Sequence, residues 1–220
     1  MTKTIGVILA GAGYLDGAEI HEAVVALLAL DRAGVAVRIF APDVRLAEVD
    51  HVTGEPTGAE RNVLAESARI ARGKIADVAT VNGSDVDGWV LPGGFGAAKN
   101  LCDFAVKGAQ ASVHKDVSRV LREALAAHVP IGACCIAPAV VGAAAKQAST
   151  RLRLTIGNDK DTAKQIAAMG HAHVDCTVDN IVVDADRKVV TAPAYMYGDA
   201  RISEVAAGID KMVAQVVAWA

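Results

Sequence analysis

No apolar stretch in this 220-residue sequence approaches the roughly eighteen residues that a membrane-spanning helix needs. The best candidates, residues 23–30 and 137–145, stop well short, so a soluble protein without a membrane partner is expected. Charge of one sign is equally scarce. The 22 Lys and Arg stand against 25 Asp and Glu, a net charge of −3, which gives no excess to attract nucleic acid or an anionic membrane. Cysteine occurs only at positions 102, 134, 135 and 176, with no Cys-x-x-Cys pair, which excludes a disulfide scaffold and favours a reducing compartment. The adjacent Cys134 and Cys135 cannot easily ligate one tetrahedral ion, and no His pair follows at finger spacing, so no metal centre is expected. The first residues hold only a brief apolar run before Gly-rich sequence, unlike a signal peptide or an Arg-rich transit peptide. Cytoplasmic localisation is the resulting expectation.

What is present is a chain 53% hydrophobic, of a length that suits one well-buried core and shows no repeat, linker or low-complexity tract. The expectation is a single domain over residues 1–220. Strand-length apolar runs alternate with helical segments, the pattern of parallel β units joined by crossover helices. Strands are expected at 5–10, 35–41, 88–91, 129–134 and 152–156, with a hairpin of 180–184 and 188–192. Helices are expected at 18–32, 61–71, 113–127, 136–147, 162–169 and 202–219, with Gly or Pro at most of the breaks. The fold class is α/β.

One junction carries chemistry. An apolar strand runs into Gly132-Ala-Cys-Cys-Ile-Ala-Pro138 and then an Ala-rich helix, the layout of a nucleophile elbow. The elbow forces strained backbone angles on its tip and crowds the residues two before and two after it, so both must be small. Cys135, flanked by Ala133 and Ala137, meets that condition; Cys134 would need Gly132 together with bulky Ile136. A thiol at a helix N-terminus feels the positive end of the dipole, which predicts a lowered pKa for Cys135. The alternative is that both cysteines are small buried hydrophobes, as free Cys usually is, and that reading holds for Cys102 and Cys176.

A second candidate is Leu91-Pro-Gly-Gly-Phe-Gly96, glycines at the end of a strand, where parallel sheets place ligand crevices. The N–H groups of Gly94 and Ile136 are candidates to hold an oxyanion, with Gly93 and Asn100 of the same segment as further substrate-binding candidates; the plain alternative is a turn. Glu22 lies near the start of the first helix. A carboxylate there either complements the dipole or reaches the crevice, and periodicity alone does not decide. Other motifs fail on their mechanics. His21-Glu-Ala-Val-Val25 lacks the second His of a zinc-protease helix, and Gly93-Gly-Phe-Gly-Ala-Ala-Lys99 lacks the ending of a phosphate loop. Gly11-Ala-Gly13-Tyr-Leu-Asp16 carries Asp where a dinucleotide fingerprint needs its third Gly, although Asp43 is spaced for a ribose. The six His residues are scattered, and none of His51, His114, His128, His171 or His173 sits in a motif.

Cys135-Ile-Ala-Pro138, Leu91-Pro-Gly-Gly94 and the helix from Glu22 to Gly34 together resemble the PfpI/ThiJ branch of the class I glutamine amidotransferase-like superfamily. Within it, Glu19-Ile-His-Glu-Ala23, Pro92 to Leu101, Leu152-Arg-Leu-Thr-Ile-Gly157 and Ala192-Pro-Ala-Tyr-Met196 are similar to the ElbB group of glyoxalase-like proteins. The resemblance implies a flavodoxin-like three-layer sandwich with a mostly parallel sheet, a homodimer, no cofactor, Cys135 as nucleophile and Glu22 as its carboxylate partner. It also implies conversion of glyoxal-type aldehydes to hydroxy acids and a link to isoprenoid biosynthesis. Ile136 after the cysteine and the lack of a His-x-Glu pair in the C-terminal part depart from true amidotransferases, so glutamine hydrolysis is not expected. The His that relatives carry near the thiol matches Ile156 here.

The expected activity is therefore a glyoxalase-type lyase that turns glyoxal or a small dicarbonyl into glycolate through a Cys135 hemithioacetal, without glutathione or cofactor. The rival is a redox-sensing or binding module in which Cys135 is oxidised without turnover.

Overall fold

A computed structural model describes residues 2–220. Its strands are β1 (Thr4–Ile8), β2 (Ala36–Ala41), β3 (Arg45–Val49), β4 (Pro56–Asn62), β5 (Ala76–Asp77), β6 (Gly88–Leu91), β7 (Ile131–Cys134), β8 (Arg153–Leu154), β9 (Ala172–His173), β10 (Val182–Asp184) and β11 (Val189–Ala192). The helices are α1 (Ile20–Arg32), α2 (Val63–Ile70), α3 (Phe104–Lys107), α4 (Lys115–Ala126), α5 (Ala137–Gln147), α6 (Lys160–Ala168) and α7 (Ile202–Trp219). Seven strands form the central sheet in the order β10-β11-β7-β6-β1-β2-β5. All its pairings are parallel except that of β10 with β11. Helices flank the sheet, α1 packing on α7 and α4 on α5, which is the flavodoxin-like arrangement.

The sequence explains why these strands are central. Every residue of β6, β7 and β11 is buried, as expected of parallel strands covered on both faces, which read as continuous apolar runs. Helix α1 starts where the Glu19 carboxylate accepts the N–H of Glu22 at 2.7 Å, and it ends at Gly34, whose φ of +69° suits a left-handed cap. The chain runs from β1 outward to β2 in one direction, whereas β6 lies on its other side. That reversal opens a crevice beyond the carboxyl ends of the strands.

Two expectations need correction, and one hairpin had no expectation at all. Residues 61 and 62 end a strand rather than begin a helix, because Arg61 and Asn62 pair with Leu46 and Arg45; Asn62 then caps α2 by accepting the N–H of Ala65 at 2.9 Å. The β3–β4 hairpin itself is unheralded, because β4 is almost wholly exposed and carries no apolar alternation. The segment 152–156 yields only the two-residue β8, which pairs with β9 outside the central sheet. Among the described residues no helix is long and apolar enough to cross a membrane.

Close packing in the sheet can be tested at Gly6. A Cβ there would stand 2.5 Å from Cζ3 of Trp89. That ring is fully buried and tethered by an Nε1–H donated to Gly83 O at 2.8 Å. Overpacking of this kind costs roughly 1–3 kcal/mol, so Gly6→Ala is expected to lower unfolding free energy by that amount in a urea titration; a change within experimental error would refute the packing argument.

Candidate active site

Four neighbouring strands, β1, β6, β7 and β11, each deliver one component to the same end of the sheet. Cys135 follows β7 with φ +58°, in the left-handed region that non-glycine residues rarely occupy. Its N–H donates to Ala192 O at 3.0 Å, and Ala133 and Ala137 on either side are fully buried. This is the elbow geometry expected from the sequence, with Pro138 in the first turn of α5.

Glu22, in the first turn of α1, has no solvent exposure. Its Oε2 accepts the N–H of Gly93 at 2.9 Å and its Oε1 accepts the N–H of Tyr195 at 3.0 Å. Cys134 Sγ lies 3.7 Å from Oε2, and Cys135 stands close by, since both it and the carboxyl border Gly93. Cys134, which the elbow sterics leave off the tip, is thus a partner of Glu22. Gly93 is required here, since a Cβ would press into Cys135 Cβ and stand 2.9 Å from Glu22 Oε2. Gly94 has φ +91° and abuts the backbone of residues 17–19, leaving no space for a side chain.

The electrostatics follow from burial. Desolvation raises the Glu22 carboxyl to about 7 from an ordinary 4.5, with the neighbouring Glu19 charge adding to it and the Tyr195, Gly93 and Cys135 hydrogen bonds opposing it. Burial, and after it the Glu22 charge, pushes the Cys135 thiol well above the usual cysteine range, while the N–H groups of Gly94 and Ile136 donate toward the sulfur and pull the other way. The expected lowered pKa of Cys135 is therefore wrong: the N–H groups at the helix N-terminus act in the predicted direction but are outweighed by the burial of the residue, which is only 7% exposed, and by the Glu22 charge. At rest the thiol keeps its proton, and Glu22 is the group that titrates near neutrality.

A cavity of about 320 Å³ opens over the sulfur, walled by Gly94, Phe95, Ile136 and Met196, with Tyr14, Glu19, Asp159, Thr162 and Tyr195 completing it. Of the residues singled out in the sequence, Cys135, Gly94 and Ile136 meet at this cavity, and Glu22 and Gly93 lie directly behind them. Asn100 does not join them. Both hydrogens of its amide are engaged, by Ala10 O at 2.9 Å and Asp16 O at 2.8 Å, so it braces the loop after β1. That loop also ties up the weak dinucleotide motif: Gly11 N–H donates to Ser67 Oγ, Gly13 N–H to Ala18 O, and Asp43 accepts from Asn62. Sequence reasoning missed Tyr195, whose only signal was its place in the Ala192-to-Met196 segment. Ile156, the position matched to the missing His, is fully buried.

Two measurements check this electrostatic picture. Glu22 binds its proton more tightly folded than unfolded, so stability must fall as pH rises from about 4.5 to about 7 and level off above, a component of about 3 kcal/mol for such a shift. Urea unfolding of Glu22→Gln is expected to lose that slope whatever its offset; an unchanged slope rules out the raised carboxyl. Likewise, the rate of iodoacetamide alkylation at Cys135 is expected to inflect above the ordinary free-thiol value of about 8.5, and an inflection below it would restore the activated thiolate.

The chain is 44% identical over 224 residues to the human protein named glutamine amidotransferase-like class 1 domain-containing protein 3, mitochondrial, covering 97% of this chain and 82% of that one. It is 43% identical, with the same coverage, to the rat ES1 protein homolog, mitochondrial. Among solved structures, an isoprenoid biosynthesis protein with amidotransferase-like domain from Ehrlichia chaffeensis superposes with a TM-score of 0.91 at 38% identity, over 99% of this chain and 100% of the other. Drosophila melanogaster DJ-1beta shares the fold alone, with a TM-score of 0.54 at 22% identity and full coverage of both chains. No family model matches the chain. These relatives overturn the cytoplasmic expectation, since those at 43 and 44% identity are named as mitochondrial proteins.

Proposed function

The chain belongs to the ES1 family of amidotransferase-like class 1 proteins, and from that premise we propose that it is a cysteine-dependent, glutathione-independent glyoxalase acting on glyoxal or a similarly small dicarbonyl. The observation that carries the reading is the pairing of a thiol at a strained tip with a buried carboxyl of pKa about 7, beside two backbone N–H groups aimed at the sulfur. A group that titrates near the working pH serves as both acid and base, and this chemistry needs both.

Glu22 takes the thiol proton as Cys135 sulfur bonds to one carbonyl carbon, and the developing oxyanion is held by the Gly94 and Ile136 N–H groups. Protonation of that oxygen gives the hemithioacetal. Glu22 then removes the hydrogen from the same carbon, forming an enediol, and returns a proton to the neighbouring carbon. The product is a glycolyl thioester, an isomer of the hemithioacetal. Water cleaves the C–S bond, releasing glycolate and restoring the thiol, so glyoxal plus one water becomes glycolic acid with no external oxidant. The name of the Ehrlichia relative supports a further proposal, that the reaction serves isoprenoid biosynthesis. A redox-sensing role gains less support, because oxidation follows thiolate character and exposure, and Cys135 has little of either.

The test is glycolate formation from glyoxal without glutathione or added metal. Cys135→Ala is expected to abolish it, and Glu22→Gln to lower the rate by about 10²- to 10⁴-fold, the usual contribution of a positioned acid–base. Equal activity of wild type and Cys135→Ala would dismiss the mechanism.

A further inference from the structure

In the proposed isomerisation the oxygen on the second carbon changes from a carbonyl into a hydroxyl, so a donor is needed there as charge develops. Gly94 and Ile136 serve the first oxygen, and the Gly93 and Tyr195 N–H groups are held by Glu22. Tyr195 has a second polar group. Tyr195 lines the cavity with Cys135, and among the described residues its hydroxyl has one hydrogen-bond partner, Nδ1 of His21 at 3.1 Å. His21 precedes Glu22 on α1 and is exposed to solvent. The Tyr195 ring is anchored beside the reacting pair by its own backbone bond to Glu22, and the preceding Ala194 is held at φ +46°.

We infer that the Tyr195 hydroxyl, oriented by His21, donates to an oxygen on the carbon next to the one that Cys135 attacks, so that the cavity selects aldehydes oxygenated at the adjacent carbon. Tyr195 is then a catalytic residue and His21 a positioning residue. With its proton on Nδ1, His21 donates to the phenol oxygen and leaves the phenol hydrogen free for the ligand. Burial and the Glu19 and Glu22 charges push the phenol up, which keeps it in the donating form. The neighbouring tyrosines differ: Tyr197 donates its hydroxyl to Cys176 O at 2.8 Å, and Tyr14 is half exposed with its ring edge-on to His51.

The inference rests on the carbonyl chemistry proposed above, and its test is independent of turnover. Glycolaldehyde and propanal both form a reversible hemithioacetal but lack the second carbonyl that isomerisation requires; only glycolaldehyde has an oxygen on the adjacent carbon. Protection of Cys135 from iodoacetamide, read by mass spectrometry and corrected for unhydrated aldehyde, gives the affinity for each. Wild type is expected to prefer glycolaldehyde by about three- to tenfold, the usual worth of one hydrogen bond. Tyr195→Phe should reduce the ratio to near one, and Tyr197→Phe, which is not part of the cavity lining, should leave it unchanged. His21→Ala should lower it, and His21→Asn, with an amide near the Nδ1 position, should restore it. No preference in wild type, no protection by either aldehyde, or a ratio that survives Tyr195→Phe overturns the inference. A preference lost in Tyr195→Phe alongside no glycolate from glyoxal would sink the reaction and leave this recognition role standing; glycolate formation without any preference would do the reverse.

Discussion

A carboxyl group with no access to water organises this end of the molecule. Burying an isolated carboxylate is so unfavourable that the group must either find donors or bind a proton, and Glu22 does some of each. Two backbone N–H groups, from the loops after β6 and β11, hold its oxygens, yet burial still leaves it near neutrality. Because both donors are main-chain groups, the demand falls on the backbone of two loops rather than on any side chain. Shifting either loop by an ångström would leave one carboxyl oxygen without its donor.

That demand accounts for where the backbone is unusual. Among the described residues, six that are not glycine have positive φ. Arg72, His128 and Ser149 follow helix ends and Lys188 closes the β10–β11 turn, ordinary places for the left-handed region. The other two, Cys135 and Ala194, are neither; Cys135 and Glu22 both border Gly93, and Ala194 precedes the residue that donates to the carboxyl. Strain of about 1–3 kcal/mol per residue persists only where surroundings enforce it. The enforcing contacts are the Cys135 N–H to Ala192 O bond and the Gly93 approach that leaves no room for a Cβ.

Much of this was legible in the residues because the constraints are steric and local. Small residues two before and two after Cys135 mark the elbow tip whatever the rest of the chain does, and continuous apolar runs at 88–91 and 131–134 identify strands buried on both faces. Glu22 was ambiguous for a physical reason: a carboxylate in a first helical turn is favourable both at the surface and in a crevice, and only the sheet order separates the two. The thiol was misjudged because the helix dipole can be read from one segment, whereas desolvation and the Glu22 charge come from elements distant in sequence. Tyr195 was missed for the same reason, as its N–H gains meaning only when β11 lies beside β7. The β3–β4 hairpin escaped because exposed strands leave no apolar period to read.

The protonated thiol changes how the site must work. An ionised sulfur would be a ready nucleophile at rest and equally open to oxidation. Here the sulfur and the carboxyl share a poorly solvated space in which two negative charges repel, so the stable resting form has one proton on the thiol and a second partly on Glu22 near neutral pH. In the proposed reaction, attack on a carbonyl moves charge from Glu22 through the sulfur to the new oxygen, where the Gly94 and Ile136 N–H groups receive it. An arrangement that disfavours the free thiolate but accommodates charge once it has passed to substrate stabilises the transition state more than the resting state, the requirement for acceleration. For the proposed reaction, the burial that raises both pKa values favours catalysis, because the same low-dielectric surroundings strengthen the two N–H interactions at the moment they are used.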